Sequence, residues 1–281
     1  YESSNASIVT VNSTGLVTGV AEGTATITVA YEGKTNTVPV TVNAGGPWET
    51  PPIPTGWTHV TGEWDTGFVI KDTHGNEFVW VPVGAITESG GLEAYDWGKG
   101  IATKHVTYET IPIAITDAIN TTGGFYVARY EASRYDGCAQ SKQGMSVWND
   151  ISWQYAKGFS EMMAVDYNWT GIQSHLLYDK EWDVIVKWFE KSGINVTDST
   201  SYGNYYDDPY TGNSGLMSTG SRSEFMVKNI YDFAGNVWEW TMDSFSSDRL
   251  IRGGEYSYDG AGHPVSHRSS YIPSGTYTDV S

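Results

Sequence analysis

A stretch of aromatic and glycine residues near the C-terminus constrains the fold more than any other part of the chain. It reads NIYDFAGNVWEWTMD over Asn229–Asp243 and is followed by RLIRGG over Arg249–Gly254. Gly235 permits a tight turn that bulkier residues would resist. Trp238 and Trp240 share a face if the stretch is extended, and they can fill a core that has few aliphatic side chains.

Arg252 stands directly before a pair of glycines in this stretch. It is expected to carry a buried, charge-assisted hydrogen bond, either to Glu239 or to Asp243. The residues interpreted as determinants of the fold, and not of a binding site, are Gly235, Asn236, Trp238, Trp240, Arg252, Gly253 and Gly254.

The order of the predicted elements indicates a mixed fold. Strands are predicted at Glu77–Val83 and Gly124–Ser133, and helices at Asp150–Val165 and Tyr178–Gly193. Strands come first, two helices follow and strands return at the end. This order favours an α+β fold over a wound parallel sheet.

The segment Tyr178–Gly193 is the clearest helix. Asp179 is its expected N-cap and Gly193 its expected C-cap. One apolar stripe at positions i, i+3, i+4 and i+7 consists of Trp182, Ile185, Val186 and Phe189.

The next segment, Ile194–Glu224, is too long for an ordinary connection. It is expected to be a functional loop or irregular surface. The part Asn195–Ser223 is expected to border a binding site with its tyrosines, Tyr202, Tyr205, Tyr206 and Tyr210.

The two C-terminal segments resemble the signature of the formylglycine-generating-enzyme/sulfatase-modifying fold, a variant of the C-type lectin fold. The segments FVWVPVGAI, GFYVARYEAS and SHLLYDKEWDVIV resemble further parts of that fold in the same order. The resemblance covers about residues 65–281 and implies a C-type lectin fold of the formylglycine-generating-enzyme type.

Residues 1–43 differ in pattern from the rest of the chain. Apolar and small polar residues alternate there in two short runs, Ala25–Tyr31 and Val38–Val42, around the turn sequence EGKTN. This pattern predicts an antiparallel hairpin in an all-β sandwich. The segment STGLVTGVAEGTATIT resembles the bacterial Ig-like group 2 domain, which commonly acts as a spacer on surface and phage proteins. The strands that normally precede this pattern are missing before Tyr1, so a partial domain is expected.

The chain is therefore expected to have three parts. Residues 1–43 form the partial Ig-like domain, residues 44–56 a proline- and glycine-rich linker, and residues 57–281 the ligand-binding domain, with a variable region at about 252–281. The formal net charge is −17, which disfavours nucleic acid and anionic lipid as partners. No apolar run approaches the length of a membrane span, so no membrane insertion is expected.

The resemblance also implies a calcium site, because enzymes of this fold hold calcium on the segment that corresponds to Asp232–Glu239. Hard oxygen ligands suit this ion. The side chains of Asp232 and Glu239 and the backbone carbonyls of Gly235 and Val237 would supply the oxygens. The alternative is a hydrogen-bonded turn without a metal, and no cofactor is required.

Catalysis of the formylglycine-generating type is disfavoured, because those enzymes need a cysteine pair shortly after the RGG strand. The only cysteine here, Cys138, lies far from that strand in the sequence. Thiolate chemistry therefore lacks its residues, and the six histidines show no metal-binding spacing. The chain is expected not to be an enzyme, although a pair of hydrolytic carboxylates stays an open alternative.

The C-terminal segment has the composition of a binding surface. Residues 255–281 contain six Ser, four Tyr, three Gly, two Asp and two His, and no Lys, Leu, Trp, Phe, Met, Gln or Asn. Tyrosine gives rigid amphipathic contact area and small polar residues give adaptable hydrogen bonds, as in antibody paratopes.

The same segment resembles the variable region of proteins that are diversified by retroelements, which mutate adenines in AAY codons. Only Glu255 lies outside the set of residues that such mutation reaches from these codons. Those variable regions normally close with a short IGFR-like strand, which the sequence up to Ser281 does not show. The predicted ligand-binding positions are Tyr256, Tyr258, Asp259, Ala261, His263, His267, Ser269, Ser270, Tyr271, Ser274 and Tyr277.

The resulting hypothesis is a receptor- or adhesin-type display protein of a phage or bacterial surface, located outside the cell. Its expected partner is a protein or glycan on a cell surface, and a homo-oligomer would raise the avidity. Tyr256, Tyr258 and Tyr271 are the expected hot spots. A purely structural surface or virion module is the further alternative, but it leaves an exposed tyrosine-rich face unexplained.

Overall fold

The computed structural model describes residues 1–20, 23–42, 50–212 and 215–281. It divides into two units, Tyr1–Thr50 and Pro51–Ser281. Residues 44–49 of the predicted linker lie outside the described residues.

The first unit is built from β-strands alone. These are β1 (Glu2–Ser3), β2 (Val9–Val11), β3 (Val17–Gly19), β4 (Gly23–Tyr31) and β5 (Lys34–Val42). The strands pair as β1-β4-β5 and β2-β3, and Val9, Ala25 and Ile27 form a small buried core.

The predicted hairpin of this unit is present as β4 and β5, and both strands are longer than predicted. Tyr31 pairs with Lys34, so the turn consists of Glu32 and Gly33. Both turn residues have positive φ, +48° and +75°. This is the backbone of a type I′ turn, whose twist suits a two-residue hairpin.

The second unit mixes antiparallel sheets with four helices, so the predicted α+β class is confirmed. Its elements are β6 (Thr58–Thr61), β7 (Val69–Lys71), β8 (Glu77–Val81), α1 (Val83–Ile86), α2 (Ile113–Thr122), β9 (Phe125–Ala128), β10 (Ser133–Tyr135), β11 (Cys138–Gln140), α3 (Trp153–Asp166), α4 (Asp179–Lys191), β12 (Met226–Val227), β13 (Ile230–Tyr231), β14 (Glu239–Phe245), β15 (Asp248–Arg252) and β16 (Arg268–Tyr271). Short 3-10 turns lie at Thr103–His105 and Ser223–Phe225.

Two sheets organise this unit. One has the order β6-β7-β8-β9 and the other β14-β15-β16, and two-stranded ribbons form from β10-β11 and β12-β13. Among the described helices, none has the length and apolar character that crossing a bilayer requires.

Helix α4 lies at the centre of the core, as its apolar stripe predicts. All four stripe residues are at most 1% exposed, and Trp182 stacks on Phe233 with ring centroids 3.8 Å apart. The predicted N-cap is wrong by one residue, because Tyr178 precedes the helix and its N–H donates to Glu181 Oε2 at 2.9 Å. Asp179 is instead a fully buried residue of the first turn.

The two tryptophans of the C-terminal motif fill a second core, as expected. Trp238 and Trp240 are at most 2% exposed and pack with Ile251 and Val280. The indole N–H of Trp240 donates to the carbonyl oxygen of Ile151 at 3.1 Å, so its polar atom is satisfied inside the core.

The long segment after α4 differs in part from the predicted functional loop or irregular surface. Tyr202 and Tyr205 are 8% and 0% exposed and belong to the main core. Residues 213 and 214 lie outside the described residues. Within its described part, the segment is therefore packed into the core at these two tyrosines and exposed at others, such as Tyr206 and Tyr210.

The fold requires the backbone at Gly235 to lie close to that of Asn204, and a substitution at Gly235 tests this requirement. It has φ +75°, and a Cβ there would lie 2.4 Å from the carbonyl oxygen of Asn204. We expect Gly235→Ala to lower the free energy of unfolding by more than about 3 kcal/mol, measured by urea denaturation. Gly193, with φ +86° and open space around it, is the matched control. Gly193→Ala should cost about 1–2 kcal/mol from backbone strain alone, and equal losses at both positions would contradict this account.

Candidate functional site

A buried cluster of four charges lies where α4 meets β15 and β16. Arg252 Nη2 lies 3.0 Å from Asp183 Oδ1, and Arg268 Nε lies 2.9 Å from Asp179 Oδ2. Arg252 also pairs with Asp179, and Arg268 with Asp183. All four side chains are at most 1% exposed. We call this group the ion quartet.

The ion quartet corrects the partners predicted for Arg252. Glu239 lies opposite Arg252 in the β14–β15 register, but the guanidinium bonds to the helix carboxylates instead. Asp243 accepts from the backbone N–H groups of Asp179 and Glu109, at 2.5 and 2.6 Å. These hydrogen bonds occupy both oxygens of Asp243.

The geometry of the ion quartet follows from two periodicities. Asp179 and Asp183 are one helical turn apart and therefore share a face of α4. Arg252 and Arg268 are direct partners in the β15–β16 ladder and therefore share a face of the sheet. Burial raises the pKa of Asp183, and the charges of the two arginines oppose that rise.

The ion quartet fixes both ends of the chain between Arg252 and Arg268. Along this span, the backbone is held by the segment after α4. The hydroxyl of Tyr205 lies 2.7 Å from the carbonyl oxygen of Gly253 and 3.0 Å from that of His263. A single buried tyrosine thus joins the start and the middle of the span.

Further backbone anchors repeat this arrangement. Ser199 N–H donates to Gly260 O at 2.9 Å, and Tyr206 N–H donates to Tyr258 O at 3.1 Å. The Trp182 indole N–H donates to Val265 O at 2.9 Å. These donors lie on or directly after α4, so the span follows the surface of the core rather than looping into solvent.

The predicted ligand-binding side chains all remain accessible. We call these eleven side chains the tail face. Tyr258, Ala261 and Ser274 are exposed, and the other eight are partly exposed. The buried residues beside them include Glu255, Gly260, Val265, Ser266 and Arg268. Buried residues therefore carry most of the anchoring, and Tyr271 and Tyr277 add contacts with the second core.

One member of the tail face departs from the rest. Ser269 pairs with Ile251 and Ser270 with Leu250. Because side chains alternate along a strand, Ser269 and Tyr271 share a face and Ser270 points to the other. The tail face is thus not one continuous surface at Ser270.

Aromatic rings hold much of the tail face in place. The ring of Tyr258 lies 4.1 Å from that of His263, which lies 4.8 Å from that of His267. The buried ring of Trp238 lies within 6.3 Å of all three. Tyr271 packs on Tyr277 in a second group at 4.3 Å.

The environment of the tail-face histidines favours their neutral form. Burial and the neighbouring His263 lower the pKa of His267 to about 4. Burial also lowers the pKa of His263. This part of the surface therefore offers ligands aromatic rings and neutral hydrogen-bonding groups.

The loop tyrosines expected to border the site divide into two pairs. Tyr206 and Tyr210 are exposed, at 50% and 44%. The prediction is wrong for Tyr202 and Tyr205, which are buried and support the backbone from below. The segment is irregular and has neither a helical nor a strand period. The sequence therefore could not show which of these tyrosines are buried and which are exposed.

Two residues that hold the span from outside, Lys99 and Asp207, were not predicted from the sequence. Lys99 Nζ donates to the carbonyl oxygen of Ala261 at 2.7 Å, and Gly260 N–H donates to Asp207 Oδ1 at 3.0 Å. The end of the chain is also paired, since Val280 forms a parallel bridge with Trp238, and Trp240 N–H donates to Ser281 O at 3.0 Å.

The predicted calcium ligands lie beside a third carboxylate, Glu131. Burial raises the pKa of Asp232 to about 7 and that of Glu239 to about 8. Asp232 Oδ2 accepts the N–H of Gly220 at 2.6 Å, and Glu131 Oε1 has no hydrogen-bond partner among the described residues. The donor types fit calcium. Within the described residues, however, no three His, Cys, Asp or Glu side chains converge as a metal-binding group.

Cys138 lies in β11, apart from the tail face, and burial raises the pKa of its thiol. A raised pKa disfavours the thiolate at neutral pH. His175 contacts Glu181 at 3.0 Å, and His59 contacts the carbonyl oxygens of Thr61 and Gly62. These histidines have structural partners.

Loss of one arginine tests the ion quartet. We expect Arg268→Gln to lower the free energy of unfolding by about 3–5 kcal/mol, because it leaves two buried carboxylates with only one compensating charge, that of Arg252. The matched control is the surface pair Lys187–Glu190, whose atoms lie 2.6 Å apart. Lys187→Gln should cost less than about 1 kcal/mol in the same urea titration. Similar losses for both variants would show that the ion quartet is not special.

Calcium binding at Asp232 and Glu239 is tested by titration of the metal-free protein. If the ion binds, calcium at about 100 times its Kd should raise the free energy of unfolding by about 2.7 kcal/mol. Magnesium should not replace it, because it demands a tighter octahedral site. Asp232→Asn should remove the effect, and no calorimetric heat with the wild-type chain would refute the site.

A comparison with known families confirms the predicted Ig-like resemblance. Residues 1–42 match the model of the bacterial Ig-like domain (group 2), where the sequence pattern predicts that module. No curated protein matches the chain.

Among solved structures, the chain is similar to PvdO from Pseudomonas aeruginosa, at 14% identity and a TM-score of 0.45, over 75% of this chain and 95% of that one. It is similar to Treponema denticola variable protein 1 at 13% identity and a TM-score of 0.37, over 91% and 96%. For CarF the identity is 16%, the TM-score 0.35 and the coverage 79% and 92%. A variable protein is therefore among the similar structures, and at these scores the likenesses carry nothing about activity or ligand.

Proposed function

We propose that the unit Pro51–Ser281 is a C-type-lectin-fold binding domain that displays the tail face to a protein or glycan on a cell surface. The observation that carries this proposal is that, in the span between Arg252 and Arg268, the groups that anchor the backbone differ from the side chains that face solvent. Buried residues and backbone hydrogen bonds fix the path of the chain, and the side chains of the tail face remain accessible.

Anchoring through the backbone suits a surface whose side chains vary. The hydrogen bonds from Ser199, Tyr205 and Tyr206 reach backbone oxygens of the span, which every residue type supplies. Replacing a tail-face side chain therefore leaves these anchors in place. The composition of the tail face, rich in tyrosine and small polar residues, is that of paratopes.

We further propose that a retroelement diversifies the tail face and that the chain is not an enzyme. The codon-reachable composition of residues 255–281 supports the first point. The missing cysteine pair supports the absence of enzymatic activity. The raised pKa of the Cys138 thiol is a separate support, because it disfavours a reactive thiolate. Catalysis of the formylglycine-generating type stays the alternative.

The Ig-like module fits a surface protein. Residues 1–42 match a bacterial Ig-like domain, and such domains serve as spacers on surface and phage proteins. We propose that the binding domain is displayed outside the cell, on a bacterium or a virion. Assembly into a homo-oligomer would add avidity to a modest single-site affinity.

A tail-face library tests the proposal. The eleven positions are randomised to the residues reachable from AAY codons, and the library is selected on immobilised lysozyme. We expect most clones to melt cooperatively within about 5 °C of the parent, a loss of roughly 2 kcal/mol or less. Selected clones should bind lysozyme and lose binding when the parental tail face is restored.

A second library at four inward-facing positions is the matched control, with Glu255, Gly260, Val265 and Ser266 randomised. Most of its clones should fail to fold, since a Cβ at Gly260 would lie 2.4 Å from Thr200 N. If both libraries unfold alike, the tail face is not an autonomous display surface. A coding sequence without a nearby repeat that differs at adenines would refute the diversification.

A further inference from the structure

Strand β9 has an unpaired edge. It is the last strand of the sheet β6-β7-β8-β9 and pairs with β8 alone among the described strands. Arg129 N–H donates to Glu77 O at 3.0 Å, and Val127 lies opposite Val79. Antiparallel ladders alternate bonded and non-bonded pairs. The backbone groups of Tyr126 and Ala128 therefore point away from β8.

The other side of β8 confirms this alternation. Trp80 N–H donates to Phe68 O at 2.9 Å, so residue 80 uses its backbone groups toward β7 and not toward β9. Tyr126 is its partner in the β8–β9 register. In the described part of the chain, neither Tyr126 nor Ala128 has a backbone hydrogen-bond partner on the free side.

A cavity of about 990 Å³ runs along this edge, and we call it the edge groove. All four residues of β9 line it, although their side chains alternate between the two faces of the sheet. Helix α2 contributes Ile115 and Ile119, while Met163 of α3 and Leu176 also line the groove. The groove thus brings apolar side chains together with the unpaired backbone groups of Tyr126 and Ala128.

The ionisable groups in the edge groove are two carboxyls and one imidazole. Glu131, Glu239 and His175 line it, and no lysine or arginine does among the described residues. Burial raises the pKa of both carboxyls. Glu131 is 4% exposed, and its Oε1 atom has no hydrogen-bond partner in the described part of the chain. An occupant with a basic group would supply the missing partner.

We propose that the edge groove binds an extended, apolar peptide that carries a basic side chain, and that this peptide adds a strand to β9. Two N–H donors and two C=O acceptors in alternation match the main chain of such a peptide. Four added residues would span roughly 13 Å at about 3.3 Å per residue. This site is separate from the tail face, and its occupant is a segment of another protein.

The side chains of the added strand would alternate between the two faces of the sheet, as those of β9 do. The backbone of the added strand would supply partners for Tyr126 and Ala128, and its basic group would approach Glu131. An acidic peptide is disfavoured by the net charge of −17.

A fluorescein-labelled heptapeptide of valine and threonine with one central lysine is the probe. We expect it to bind the full chain in fluorescence anisotropy. The same peptide with N-methyl groups on alternate amides should bind at least about tenfold more weakly, because it loses the donors of strand pairing. A peptide with glutamate in place of the lysine should also bind at least about tenfold more weakly.

Ala128→Pro tests the protein side of the contact. Proline removes the N–H that points into the groove and spares the ladder to β8, so edge pairing alone is lost. Its matched control is Val60→Pro in β6, the opposite edge strand of the same sheet. Ala128→Pro should weaken peptide binding at least about tenfold, and Val60→Pro should leave it unchanged.

Thermal melts establish whether both variants fold. If either does not, the comparison of the parent and N-methylated peptides on the wild-type protein still tests strand addition. Equal affinity for the parent and N-methylated peptides would overturn strand addition. Equal affinity for the lysine and glutamate peptides would overturn the basic partner. No binding of the lysine peptide at all would overturn the proposal.

Discussion

Two guanidinium groups and two carboxylates share a dry interior where α4 meets β15 and β16. Removing four charges from water is costly, and only mutual pairing offsets that cost. Each arginine of the ion quartet reaches both aspartates, so the charges balance without solvent. Because the arginines are cross-strand partners and the aspartates are one helical turn apart, the ion quartet is complete only when helix and sheet are correctly docked.

This docking explains how a segment poor in core residues belongs to an ordered domain. The span between Arg252 and Arg268 buries few large apolar side chains, so hydrophobic burial alone would hold it weakly. Its ends are fixed by charge and its middle by hydrogen bonds from the segment after α4. Tyr205 illustrates the principle, since its ring fills the core and its hydroxyl meets two backbone oxygens of the span.

The sequence predicts local features well and long-range partners poorly. The stripe of α4 and the burial of Trp238 follow from helical periodicity and aromatic content, and both are observed. The partner of Arg252 did not follow, because Asp179 lies 73 residues away and nearer carboxylates were equally plausible. The burial of Tyr205 and the free edge of β9 could not be predicted from the sequence either, because each depends on which elements pack together in three dimensions.

The fixed ends of the span also limit how this surface can evolve. Arg252 and Arg268 face each other in the ladder, and Gly260 lies against Thr200 with no room for a Cβ. The number of residues between these three points is therefore set by geometry, whereas the side chains between them are not. Insertions and deletions would displace the backbone oxygens that bond to Ser199, Tyr205 and Tyr206, so this architecture favours variation that keeps the length constant.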